Sequence, residues 1–217
     1  MKRLGCIFSA LVIATLLLNT TGCRSAYYAA YEKVGIYKRD LLKKRVVEAR
    51  DDQQTAQKEF KDALTRLKEI TQFDGGEAER AYRTLKSEYD DCAKQADTVR
   101  SRIRAVESVA TDLFAEWEKE NGEITTVSLR EASRRELVAT RQRYDELHAA
   151  LAAAEQSMTP VLTQFNDYVL YLKHNLNAQA IASLQGESPS IQTEITRLIE
   201  QMNQSIARAD SFVKQMK

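Results

Sequence analysis

Apolar residues recur at alternating intervals of four and three along two long stretches of the chain. The longer stripe comprises Ala78, Tyr82, Leu85, Tyr89, Cys92, Ala96, Val99, Ile103, Val106, Ala110, Leu113 and Trp117. An earlier stripe comprises Leu42, Val46, Ala49, Gln53, Ala56, Phe60, Ala63, Leu67 and Ile70, with Gln53 as its one polar member. This spacing is typical of the seam between helices that pack as a coiled coil.

Residues 73–77 separate the two stripes and predict a turn. Gly75 and Gly76 allow the backbone conformations that end a helix, while Asp74 and Glu77 have the spacing of a capping box for the next helix. In an antiparallel hairpin the residue numbers of opposed positions have a constant sum. A sum of 152 pairs every position of the earlier stripe with one of the later stripe, and it repeatedly places a large side chain against a small one.

A third stripe and a fourth predict two more helices. The third comprises Leu137, Thr140, Tyr144, Leu147, Leu151, Ala154, Met158, Val161, Phe165, Tyr168 and Leu172, and pairs with the second at sums of 246 to 247. Pro160 lies inside it and predicts either a kink or a restart of the helix with Thr159 as its cap. Gly186 and Ser188-Pro189 predict a tight turn into a last helix. Its stripe comprises Ile191, Ile195, Leu198, Met202, Ile206, Ala209 and Val213.

These patterns predict an all-α fold: an elongated antiparallel coiled-coil or helical bundle of three long helices plus a shorter C-terminal helix. Only 7 Gly and 2 Pro occur among 217 residues, too few to punctuate a β-sandwich, a barrel or an α/β fold. No linker or repeat interrupts the later part of the chain. We therefore expect one domain over residues 23–217 after a signal peptide over residues 1–22.

The first residues predict the compartment. Lys2 and Arg3 precede an apolar run over residues 7–18, which is typical of a signal peptide and short for a membrane span. The run ends in Thr21-Gly22-Cys23, which resembles the lipobox of bacterial lipoproteins, although Thr20 stands where an aliphatic residue is usual. The resemblance implies that Cys23 carries the lipid anchor. Ordinary secretory cleavage and an uncleaved anchor are the alternatives.

The charge is distributed unevenly after processing. Removal of residues 1–22 changes the formal net charge from +1 to −1, yet residues 24–45 hold seven bases and two acids. Tyrosines lie among those bases, and such rings settle at lipid headgroups. We therefore expect this segment to lie against the membrane, or alternatively to pack on the base of the bundle. The residues expected at the membrane are Arg24, Tyr27, Tyr28, Tyr31, Lys43, Lys44 and Arg45.

Two segments and one turn resemble a known family. The segments are SAYYAAYEKVGIYKRD at residues 25–40 and VLYLKHNLNAQAI at residues 169–181, with Phe73-Asp74-Gly75-Gly76 between them. They resemble a family of uncharacterised proteobacterial lipoproteins that is catalogued as a domain of unknown function. The resemblance implies a helical, coiled-coil envelope lipoprotein, and it brings no activity or catalytic residue with it.

Few residues suggest chemistry. Two His at positions 148 and 174 lie too far apart on one helix to share a metal, and Cys92 occupies a seam position opposite Phe60. The near-zero net charge argues against nucleic acid as a partner. We expect no enzyme activity, no metal and no cofactor. The candidates for contact with a partner at the end away from the membrane are Asp74, Gly75, Gly76, Tyr171, His174 and Asn175, and the alternative for the last three is a junction between helices.

The sequence thus predicts a non-enzymatic, lipid-anchored protein of the cell envelope, on the periplasmic side and held at the outer membrane. Its role is structural or partner-binding, with an envelope protein or a second copy of the chain as the partner. The alternative is a carrier of lipids or small amphiphiles, which would need unfilled volume in the core.

Overall fold

Four long helices make up most of the part of the chain that the structure describes. The computed structural model describes residues 35–72 and 78–216, together with Tyr27, Tyr28, Tyr31 and Lys33. The helices are α1 (Lys38–Gln72), α2 (Ala78–Glu123), α3 (Val127–His174) and α4 (Ala178–Gln215). The described residues include no strand. The prediction of an all-α helical bundle is confirmed.

The chain divides by packing into two compact units, Met1–Leu41 and Leu42–Lys217. In the second unit α2 packs on α3 and α3 packs on α4, while α2 and α4 meet at few places. Polar contacts join α1 both to α2, through Arg102 and Asp52, and to α4, through Arg50 and Asp210. The second unit is therefore a closed antiparallel four-helix bundle, in which the last helix returns to the first.

The predicted register between α1 and α2 agrees with the observed contacts. Arg102 Nε lies 2.6 Å from Asp52 Oδ2, and Arg102 Nη1 lies 3.2 Å from Glu48 Oε2. The residue numbers of these pairs sum to 154 and 150, on either side of the predicted 152. Seam positions that oppose each other at 152, such as Phe60 and Cys92, are fully buried.

The predicted register between α2 and α3 is wrong by about one heptad. His148 contacts Glu107 at 2.6 Å, and Arg100 contacts Glu155 at 2.6 Å. Both pairs sum to 255 rather than 246 to 247. A heptad pattern pairs equally well after a shift of seven residues, so the connection decides between the alternatives. A sum of 246 to 247 requires a connection centred near residue 123. The connection in the structure lies at residues 124–126, later in the chain.

The seam between α1 and α4 closes the bundle. Gln57 Nε2 donates to Asn203 Oδ1 at 2.8 Å, and Arg50 Nη1 lies 2.8 Å from Asp210 Oδ1. Both pairs sum to 260. The fully buried positions between these helices pair at a sum of 258, as in Ala49 with Ala209, Phe60 with Leu198 and Leu67 with Ile191.

The last helix is longer than predicted. α4 has 38 residues against 35 for α1, and it runs through Gly186 and Pro189 without a turn. Its start is set by Asn177, whose side chain accepts a hydrogen bond from the Ala180 amide at 2.9 Å. This N-cap satisfies a free amide of the first turn. The turn predicted at Gly186 and Ser188-Pro189 therefore lies about ten residues later in the chain than the turn in the structure.

The stripe predicted for the last helix also needs a correction. Ser205 is fully buried and Phe212 nearly so, whereas Ile206 and Val213 are only half-buried. The true seam keeps the strict alternation of three and four from Leu198. The prediction followed the more hydrophobic neighbour instead of the spacing.

Pro160 does not end a helix. α3 runs from Val127 to His174 through Pro160, which excludes the predicted alternative of a restart capped by Thr159. Although Pro160 has no amide hydrogen to donate, the seam residues Met158 and Val161 on either side of it are fully buried. Burial of the apolar stripe on both sides of the proline keeps the helix continuous.

The bundle has two distinct ends. At the entry end, defined by residues 42–46 and Met216, the chain enters the bundle, and Lys43 Nζ donates to the Met216 carbonyl at 3.4 Å. The 124–126 connection lies beyond this level on the same side, because the sum of 152 places Leu42 opposite Ala110, thirteen residues before α2 ends. At the far end, defined by Thr71, Ala78 and residues 175–177, the Gln185 side chain donates to the Thr71 carbonyl.

Candidate functional site

The far end carries a hydrogen-bonded junction between α3 and α4. The Asn175 amide donates to the Leu172 carbonyl at 3.2 Å, and its side chain donates to the Tyr171 carbonyl at 2.9 Å. These bonds satisfy carbonyls that the end of α3 would otherwise leave free. Two residues later Asn177 caps α4, so two asparagines fix both sides of the turn.

Three large apolar side chains stand exposed on this junction. Leu170 is 47% exposed, Tyr171 40% and Leu176 49%. They lie within seven residues of one another, and we call them the junction patch. A soluble surface carries isolated apolar residues at no great cost, but several large exposed ones close in sequence to a hydrogen-bonded turn are typical of a contact surface.

The junction patch rests on a buried support. Leu172 is fully buried and Tyr168 nearly so, and the Tyr168 hydroxyl donates to the Glu187 carbonyl of α4 at 3.1 Å. Burial raises the pKa of Tyr168, so the hydroxyl stays a hydrogen-bond donor at neutral pH. The backbone below the patch is thus held between α3 and α4.

The predicted contact residues do not all lie on a helix. Tyr171 and His174 lie exposed on the last turns of α3, but Asn175 lies beyond the helix and bonds back to it. Asp74, Gly75 and Gly76 lie outside the described residues. Leu170 and Leu176 were not among the predicted contact residues; their signal is that both are large apolar residues off the buried stripe.

The tyrosines near the start of the chain form a ring cluster. The ring centroids of Tyr27 and Tyr28 lie 5.3 Å apart, and those of Tyr27 and Tyr31 lie 4.9 Å apart. Lys38 Nζ lies 4.7 Å from the centroid of the Tyr28 ring, as in a cation–π contact. Tyr27 is exposed and Tyr28 is buried, so only part of the predicted aromatic surface faces solvent.

The basic residues expected at the membrane differ in their surroundings. Lys43 and Lys44 are exposed, whereas Arg45 is half-buried and lies 2.8 Å from Glu48. The Glu48 carboxylate offsets the charge of Arg45, which leaves the two lysines as the more accessible pair. Cys23 and Arg24 lie outside the described residues.

Gly35 has a conformational role. Its φ is +77°, in the region that favours glycine, and a Cβ built on it meets nothing within 4 Å. It lies in a turn before α1, where the Ile36 amide donates to the Tyr31 carbonyl at 3.0 Å. Extension of the sum of 152 towards the start of the chain predicts Gly35 in a helix opposite Trp117, either as space for the indole or at a kink. The Trp117 indole instead donates to Ser133 on α3 at 2.9 Å.

The side chains that could act in catalysis or bind a metal lie apart from one another. Cys92 is fully buried, and burial raises the pKa of its thiol far above the ordinary range. His148 contacts Glu107 and stacks on Tyr144, while His174 lies at the far end. Within residues 35–72 and 78–216 no group of three or more His, Cys, Asp or Glu side chains is placed to hold a metal.

None of the helices in the described part of the chain is both long enough and apolar enough to cross a membrane. The hydrophobic surface of the bundle instead faces inward along the four seams. The fold therefore defines an antiparallel four-helix bundle with a structured, partly apolar turn at its far end.

The chain belongs to the family described as "Protein of unknown function (DUF2959)", whose model matches residues 27–216. The match covers the tyrosine cluster and all four helices. No curated protein and no solved structure matches the chain.

Proposed function

We propose that this protein is a non-enzymatic, lipid-anchored component of the bacterial cell envelope whose four-helix bundle presents its far end to a protein partner. The observation that carries the proposal is the junction patch: Leu170 and Tyr171 on the last turns of α3 and Leu176 in the connection to α4 are exposed, and Asn175 and Asn177 fix the backbone of that connection. An ordered apolar surface loses little conformational entropy on binding, which favours a contact role.

The anchor is the second part of the proposal. Cys23 would carry acyl chains, which contribute about 0.8 kcal/mol per buried CH₂, and the exposed Lys43 and Lys44 would add attraction to anionic headgroups. The chain enters the bundle at the entry end, and the helices then carry the junction patch to the opposite end. Such an arrangement suits a spacer between the outer membrane and a periplasmic partner.

Site-specific crosslinking in cells tests the partner contact. A photoreactive amino acid at position 171 or 176 should capture one discrete protein, whereas the same group at Val138, which is 62% exposed on the entry half of α3, should not. Capture of the same protein from positions 138 and 171 would contradict a specific role of the junction patch. Capture of a second copy of the chain would identify self-association as the contact.

The anchor is tested separately. We expect Cys23→Ala to move the protein from the membrane fraction to the soluble fraction and to abolish incorporation of a labelled fatty acid. Cys6→Ala is the matched control, because it removes a thiol from the predicted signal peptide and leaves Cys23 in place. Fatty-acid labelling that persists in Cys23→Ala would contradict the anchor and leave the partner test unaffected.

A further inference from the structure

One layer of the bundle core is polar on both sides of the α1–α4 seam. Gln53 and Ser205 are each fully buried, and they oppose each other at the sum of 258 that pairs the other seam positions. Contacts on either side confirm the level, since Arg50 meets Asp210 before it and Gln57 meets Asn203 after it.

The polar atoms of this layer have no protein partner in the part of the chain that the structure describes. Neither the amide oxygen and nitrogen of Gln53 nor the hydroxyl of Ser205 makes a hydrogen bond there. A buried polar group without a partner destabilises the closed structure, because it has lost the water that it bonds in the open chain. Both groups recover those bonds once the seam parts.

In the α1–α2 seam the same level is polar on one side only, because Gln53 faces an apolar residue there. On α2, Val99 opposes Gln53 at the sum of 152 and is fully buried, as is Cys92 one heptad before it. The α1–α4 seam is also the contact that joins helices far apart in the chain, whereas α2–α3 and α3–α4 are joined by short connections. Separation of α1 from α4 therefore requires less rearrangement of the chain than separation of α2 from α3 or of α3 from α4.

We propose that the bundle opens along the α1–α4 seam, and that the opposed Gln53 and Ser205 set how readily it does so. In the closed state neither polar group has a protein partner among the described residues. In the open state water bonds both of them, and the apolar stripes of α1 and α4 become accessible while the α1–α2 seam stays closed. The opening is thus a motion of one seam and is distinct from global unfolding.

Thiol labelling measures this motion with a control inside the same molecule. Ala209→Cys places a reporter in the α1–α4 seam, and the native Cys92 reports on the α1–α2 seam; both sites are fully buried. Global unfolding exposes both thiols equally. Alkylation followed by peptide mapping of the full chain should find the reporter at 209 labelled at least about tenfold faster than Cys92.

The polar layer is then replaced in the reporter protein. Gln53→Leu with Ser205→Ala should slow labelling at 209 by about tenfold, because opening no longer restores hydrogen bonds. Met202→Leu, one layer away, is the matched control and should leave the rate unchanged. If Ala209→Cys fails to fold, Met202→Cys serves as the reporter and Ile195→Val as the control.

Two results would overturn the proposal. Equal labelling of the reporter and Cys92 would show that the seam opens only in global unfolding. Unchanged or faster labelling after replacement of the polar layer would show that Gln53 and Ser205 do not favour opening.

Discussion

Phe60 offers the most direct test of the packing arrangement. Its ring is fully buried and stands at the level of Cys92 on α2 and of Leu198 on α4, so it joins two seams at once. Phe60→Ala removes the largest side chain of that layer, and its small neighbour Cys92 cannot fill the space. Substitutions of this kind cost about 3–5 kcal/mol, through lost transfer energy and the cavity left behind.

Urea denaturation followed by circular dichroism measures the loss. For a chain of this size, each kcal/mol corresponds to a decrease in melting temperature of about 2–4 °C. The cavity would also border the thiol of Cys92, which should then be alkylated faster under native conditions. Val138→Ala is the control, because Val138 is 62% exposed, and its effect should stay within about 0.5 kcal/mol.

A loss below about 1 kcal/mol for Phe60→Ala would refute the reasoning, since it lies well under the range for a buried phenylalanine. It would mean that Phe60 does not lie between α1, α2 and α4. The sums of 152 and 258 would then both fail, because each places Phe60 in the core.

Three further outcomes are expected. Asn177→Ala should destabilise the protein by about 1 kcal/mol through loss of the α4 N-cap, while Asn177→Asp should retain most of the stability in thermal melts. Arg102→Ala should lower the free energy of unfolding by about 1 kcal/mol or less, because the contacts of Arg102 with Asp52 and Glu48 are partly exposed. The difference from wild type should shrink in 1 M salt, whereas the loss for Phe60→Ala should not depend on salt. Burial raises the pKa of Tyr144 to about 12, so the folded state holds the phenol proton more tightly than the unfolded state. The free energy of unfolding should therefore fall as the pH rises from about 10 towards 12. Tyr144→Phe should reduce that fall, and an unchanged pH profile in this variant would contradict the assignment.

The helices and their first seam follow from the sequence because a strict alternation of four and three allows only one buried stripe. Leu42 to Leu67 on α1 and Leu85 to Val106 on α2 lie buried as predicted, apart from the half-buried Tyr89. The register of α2 against α3 does not follow in the same way, since a shift of seven residues restores the same pattern. Only the position of the 124–126 connection distinguishes the alternatives.

The start of α4 illustrates a different difficulty. Gly186 and Pro189 are usual signals for a turn, yet both lie inside a helix whose buried stripe continues past them from Ile181 and Leu184 to Ile191. Tertiary packing outweighs their low helix propensity. The position of Asn177 directly before Ala178 is the signal for a cap.

The candidate site was only partly predictable. Tyr171 and His174 are exposed at the far end, as expected. That Leu170 and Leu176 join Tyr171 in the junction patch depends on where α3 ends. Ser205 could not be recognised as a core residue by its hydrophobicity. Its position follows only when the spacing from Leu198 and Met202 is given more weight than the apolar character of Ile206.

The closeness of Lys43 to Met216 has a practical meaning for topology mapping in cells. Since α1 begins and α4 ends on the same side of the bundle, a reporter appended at the C-terminus samples the surroundings of the chain's entry. A reporter inserted at residues 175–177 samples a location one helix length away, about 57 Å for the 38 residues of α4. Proximity labelling from the two positions therefore maps the surroundings of two different ends of one molecule. A C-terminal tag alone would not label proteins near the far end.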